Sequence, residues 1–139
     1  MGPLSAEEIR DAVKAALAED IGTGDVTTLA TVPENARATA VMRAREPLVA
    51  AGLAFAETAF RELSSAIEIT RAAEDGWQVP AEKTIMTIGG PARAILSAER
   101  VALNFVQRLS GVATLTAQFA DAVKGTQARI LDTRKTTPG

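Results

Sequence analysis

Apolar residues recur every four positions near the N-terminus, and that spacing predicts the first element. Ile9, Val13 and Leu17 share one helical face. Ser5 followed by Glu8 fits a capping box at the start. The helix should end in Glu19-Asp20-Ile21-Gly22-Thr23-Gly24-Asp25, a polar turn with two glycines and two aspartates. From Arg37 to Arg45 the period changes to two. Ala38, Ala40, Met42 and Ala44 alternate with Arg37, Thr39, Val41, Arg43 and Arg45, which predicts a strand. Pro47 and Gly52 punctuate its exit. Leu53, Ala56, Phe60 and Leu63 then predict an amphipathic helix over 53–63. Ile67 and Ile69 mark a second strand, and 72–80 forms a turn region around Gly76. Thr84 to Ile88 forms a third strand, ended by Gly89-Gly90-Pro91, with Ala92 to Leu96 as a candidate fourth. This order of elements describes a small α+β layer.

The next stretch is helical. Ser97 is a good N-cap, and Leu96 and Val101 sit where a hydrophobic staple would place them. Val101, Phe105, Leu109 and Val112 step by three or four, and Leu115, Phe119 and Val123 continue the stripe. Gly111 is expected to kink the helix or divide it in two. Lys124 and Gly125 supply a basic last turn and a C-cap. A short strand is expected over Ala128 to Asp132. A helix followed by one strand opens an α/β unit, and a (β/α) barrel needs about 250 residues. The pattern therefore predicts a chain that stops partway through a larger protein.

Composition narrows the chemistry. With 139 residues, 47% hydrophobic and 23% charged, the chain has the make-up of a soluble globular protein. It contains no cysteine and no histidine. Disulfides, thiolate nucleophiles, Ser-His triads and Cys- or His-ligated metals are thereby excluded within these residues. A net charge of -2 argues against a nucleic-acid surface. No apolar run is long enough for a membrane helix and the N-terminus does not read as a secretory signal, so a cytoplasmic location is expected.

The most informative chemistry lies at the end of the chain. Ile130-Leu131-Asp132 runs into Thr133-Arg134-Lys135-Thr136-Thr137. Two fixed cations and three hydroxyls at a barrel strand end suit an anionic ligand with more than one acidic group. A solvated basic loop is the plainer alternative. Arg100 falls in the first turn after Ser97, where the helix macrodipole mildly disfavours a cation. A residue set against local electrostatics often serves a ligand, although an exposed Arg can also reach away from the dipole. Asp20 and Asp25 could bind a metal or act as acid and base, but Asp25 reads first as a turn cap. Lys83 reads as a solvated turn lysine rather than a swinging-arm attachment site, and Trp77 and the phenylalanines as core or interface packing.

Three ordered motifs carry a resemblance that spans nearly the whole chain. Glu19 to Thr28 is the first. Ala98 to Phe105, continued by Gln107 to Thr114, is the second, and Asp132 to Gly139 is the third. Together they resemble the quinolinate phosphoribosyltransferases, also called carboxylating nicotinate-nucleotide pyrophosphorylases. The resemblance implies an α/β (α+β) fold of the type II phosphoribosyltransferase kind. An N-terminal α/β sandwich over 1–103 would be followed over 104–139 by the first strand of an open α/β barrel, cut short. It implies conversion of quinolinate and phosphoribosyl pyrophosphate to nicotinate mononucleotide, pyrophosphate and carbon dioxide, in NAD biosynthesis. Magnesium would accompany the phosphoribosyl pyrophosphate, with its ligands outside this chain.

By the same resemblance, Thr133, Arg134 and Lys135 line the quinolinate pocket, and Arg100 reaches across a homodimer into the neighbouring subunit's site. The catalytic residues are expected downstream of residue 139, so these residues alone are expected to be inactive. Two other readings stand beside this one. The first is the related protein of molybdenum-transport operons, and the second is a non-catalytic dimerisation module.

Overall fold

The computed structural model describes residues 4–133 and 135. The capping box forms: the Ser5 hydroxyl accepts from the Glu8 amide at 3.2 Å, and Glu8 accepts from the Ser5 amide at 2.8 Å. It opens α1 (Ala6–Ile21), which buries Val13 and Leu17. Asp25 then caps α2 (Val26–Thr31), a short helix that the apolar pattern does not announce. Six residues are too few for a periodic stripe to declare itself.

Two small antiparallel sheets follow. In the first, β5 (Thr84–Pro91) lies between β1 (Arg37–Arg43) and β3 (Glu68–Arg71). Ala40 faces Ile88 across β1–β5, and Ile69 faces the same residue from β3. As the central strand, β5 is mostly buried, with Ile85, Met86 and Ile88 all inside. The second sheet pairs β2 (Leu48–Val49) with β4 (Gln78–Val79). Between them, α3 (Leu53–Leu63) occupies the range its periodicity predicts and buries Leu53, Ala56, Ala59 and Phe60.

The last helix departs from expectation at both ends. β5 runs straight into α4 (Ala92–Ala122), capped by Pro91, so Ala92–Leu96 is helix rather than strand. The run Ala92-Arg93-Ala94-Ile95-Leu96 is too short for its period to distinguish the two states. Tertiary packing decides it, burying Ala94, Ile95, Ala98, Val101, Ala102 and Val106 in the core. Ser97 is therefore an interior residue and not the cap. Gly111 does not divide α4, which is continuous through it. Interior glycine costs about 1 kcal/mol relative to alanine, and flanking side-chain bonds hold the helix there. The Ser110 hydroxyl lies 3.0 Å from the Ala51 amide and 3.2 Å from its carbonyl, while Thr114 accepts from the Val49 amide at 2.9 Å.

Beyond Gly111 the helix changes character. Among the described residues, none after Ser110 is buried; Val112, Leu115 and Phe119 are all exposed. The strand expected over Ala128–Asp132 does not form, and those residues are irregular and exposed. A parallel strand needs a neighbour to receive its ladder of hydrogen bonds, and the described residues offer none. Trp77 is also exposed and not part of the core. Phe55 and Phe105 do pack, with ring centroids 4.7 Å apart. Among the described residues, no helix is long and apolar enough to cross a membrane.

Candidate functional site

The expected site residues fall in two separate places. Arg100 lies on the exposed face of α4 beside Glu99, flanked by buried Ala98 and Val101. Because α4 begins at Ala92, Arg100 sits beyond the second helical turn and not in the first. Its conflict with the macrodipole, inferred from a start at Ser97, does not arise, since that effect fades within one turn. Thr133 and Lys135 are exposed, and among the described residues their hydrogen bonds are local: the Thr133 amide donates to Asp132 at 2.7 Å, and the Lys135 amide donates to Thr133 Oγ1 at 3.2 Å. Arg134 lies outside the described residues. Among the described residues, no hydrogen bond or ion pair joins Arg100 to Thr133 or Lys135.

What the fold does bring to Arg100 is the end of α1. The Asp20 carboxylate meets Arg100 Nε with both oxygens, at 3.0 and 3.2 Å. One turn back along α4, the Ser97 hydroxyl donates to Asp25 Oδ2 at 2.9 Å. Asp25 also accepts from the Thr28 amide at 3.0 Å and from the Thr28 hydroxyl. These bonds, led by the Thr28 hydroxyl, hold the Asp25 carboxyl below the ordinary carboxylate range, with a smaller contribution from the positive charge of Arg100. Asp25 is thus a carboxylate at neutral pH that ties three segments together. On the same side Arg93 caps the end of α2, donating through Nε to the Val32 carbonyl at 2.9 Å.

The sequence marks Asp25 as a cap but pairs neither Asp20 with Arg100 nor Ser97 with Asp25. These partners lie 80 and 72 positions apart, and no local period reports such contacts. Both aspartates are engaged with side chains, and among the described residues no three acidic groups gather in a way that could hold a metal. Lys83 is exposed in the turn before β5, its carbonyl accepting from the Ala44 amide at 2.9 Å, as a turn lysine should be. A separate open groove of about 1120 Å³ lies between β1 and α4, lined by Val41, Leu96, Leu103 and Leu115 among others. Arg100, Thr133 and Lys135 do not line it.

Comparison with known proteins agrees with the motifs. The family described as quinolinate phosphoribosyl transferase, N-terminal domain, matches residues 25–110, and that described as its C-terminal domain matches 112–139. The nicotinate-nucleotide pyrophosphorylase (carboxylating) of Mycobacterium leprae is 42% identical over 133 residues, covering 94% of this chain and 47% of its own length. The chloroplastic enzyme of the same name from Arabidopsis thaliana is also 42% identical, over 95% of this chain and 38% of its own. Among solved structures, the nicotinate-nucleotide pyrophosphorylase of Francisella tularensis superposes with a TM-score of 0.91 at 38% identity, over 98% of this chain and 49% of that one. The chain therefore spans about half the length of the relatives it matches, or less.

Proposed function

The chain belongs to the quinolinate phosphoribosyltransferase family, and on that premise we propose that it contributes to the decarboxylating transfer of a phosphoribosyl group to quinolinate. The products are nicotinate mononucleotide, pyrophosphate and carbon dioxide, and the step serves NAD biosynthesis. The observation that carries this reading is the double family match, continuous from residue 25 to 139 apart from residue 111. Neither the fold nor the relatives described favour a molybdenum-transport protein or a non-catalytic dimerisation module.

The chemistry requires cations. Quinolinate is a dicarboxylate, and two guanidinium groups can each grip one carboxylate through paired bonds. In this reading Arg134 and Lys135, with Thr133, meet the ligand in one subunit. Arg100 reaches it from the other subunit of a homodimer. Transfer passes through a cation-like ribose while negative charge grows on the leaving pyrophosphate. Loss of carbon dioxide places negative charge on the pyridine ring, where the same cations stabilise it. Magnesium would neutralise the pyrophosphate. On the same proposal its ligands and the catalytic groups would lie outside these residues. A cytoplasmic location belongs to the same proposal.

Two experiments test the proposal. The 139-residue chain is expected to form no nicotinate mononucleotide and to bind phosphoribosyl pyrophosphate weakly by calorimetry. In the full-length enzyme containing these residues, Arg100→Ala should weaken quinolinate binding by about ten- to a hundredfold, the value of a charged hydrogen-bonded contact, with an unchanged melting temperature. Clear turnover by the short chain, or unchanged quinolinate affinity in the variant, would contradict the proposal.

A further inference from the structure

We infer that Asp20 is a positioning residue that presents the guanidinium of Arg100 to a carboxylate ligand. The inference rests on the ligand role proposed for Arg100 and adds how that role is prepared. Arg100 is 72% exposed, whereas Asp20 is 23% exposed and sits in the last turn of α1. A long, exposed Arg otherwise distributes over many rotamers, and ordering it on binding weakens affinity.

The contact geometry matters more than its strength. Both carboxylate oxygens approach Nε, at 3.0 and 3.2 Å. Among the described residues the two terminal nitrogens of Arg100 make no hydrogen bond. The side chain is therefore held by its neck, with donors of its fork left over for a second carboxylate.

Asp20 is itself held in place. The chain leaves α1 through Gly22 and reaches Asp25, which is fastened to α4 by Ser97. Ser97 and Arg100 are three positions apart on α4 and so lie on one face. The two links, Ser97 to Asp25 and Arg100 to Asp20, run side by side between the same two segments. The first link, with the packing of α1 on α4, keeps the end of α1 near Arg100.

Two effects of Asp20 oppose each other. Its negative charge repels a dianionic ligand, but the ligand would meet Arg100 at its exposed fork, where water and salt screen that repulsion. Fixing the neck of Arg100 acts directly on the ordering cost, and this effect is expected to dominate. Asp20→Ala removes both effects. Asp20→Asn removes the charge and keeps an oxygen that can accept from Nε.

The test is steady-state kinetics on the full-length enzyme containing these residues. Asp20→Ala should raise KM for quinolinate about three- to tenfold, the range expected for immobilising one long side chain. Within twofold, kcat and the KM for phosphoribosyl pyrophosphate should stay constant. Asp20→Asn should restore most of the quinolinate KM. In an Arg100→Ala background, Asp20→Ala should add nothing. An unchanged or lowered quinolinate KM in Asp20→Ala, with a raised one in Arg100→Ala, would overturn the positioning role and leave the proposed function standing. No effect from Arg100→Ala itself would remove the ligand role of Arg100, and with it this inference. A fall in melting temperature accompanying the KM rise in Asp20→Ala alone would make the residue structural and also overturn the inference.

Discussion

Replacing Phe60 by alanine is expected to lower the free energy of unfolding by about 3–5 kcal/mol. Phe60 is 3% exposed, and it belongs to the α3 face that packs against α1 and α4. Removing the ring forfeits its transfer free energy and leaves a cavity that the helices can close only in part. A domain of this size is stable by about 5–15 kcal/mol, so the loss takes a large share of the total. Urea unfolding of the two proteins at one temperature measures it, with Phe60→Leu as a control expected to cost under about 1.5 kcal/mol. A loss below about 1 kcal/mol for Phe60→Ala would mean that α3 and α4 do not share the core described here. The consequence reaches the site, since α4 carries Ser97 and Arg100 and α3 is one of the elements that supports it.

Gly52→Ala should destabilise by about 2–5 kcal/mol, from two additive causes. Gly52 precedes α3 with φ at +87°, a backbone state that alanine adopts only at a cost of about 1–2 kcal/mol. An added Cβ would also fall 2.6 Å from Leu109 Cδ1 and 3.3 Å from the Phe105 carbonyl oxygen of α4. The methyl end of Leu109 can rotate aside, but the helix carbonyl cannot. Relieving that contact means moving α3 away from α4, an overpacking cost of about 1–3 kcal/mol.

Gly76 separates the two causes. Its φ is +88°, nearly the same, and nothing lies within 4 Å of a Cβ built there. Gly76→Ala should therefore show the backbone penalty alone. Thermal and urea unfolding of both variants gives the comparison. If they prove equally destabilised, the close approach of α3 to α4 is not what requires glycine at position 52.

Features that act within one turn of chain are legible in the order of residues. The capping box of Ser5 and Glu8, the four-residue step through Leu17 and the helix over 53–63 all depend on neighbours a few positions away. The alternation after Arg37 marks β1 for the same reason. The three family motifs also read directly, because they are strings of adjacent residues. The fold differs from the pattern where local signals are ambiguous. Ala92–Leu96 and Ser97 resemble a strand and a cap because a strand and a buried helical run share the same short apolar pattern. Gly111 resembles a break because propensity takes no account of the bonds that Ser110 and Thr114 make to the β2 segment.

Residue order alone thus settled most local elements, the mixed α/β class and the family. Folding in three dimensions settled where α4 begins, that it runs unbroken through Gly111, and that Asp20 rather than the helix dipole is the electrostatic partner of Arg100. A period of two or 3.6 residues records which side of an element is apolar. It holds no record of which guanidinium will meet which carboxylate across 80 positions, because that depends on how the helices pack.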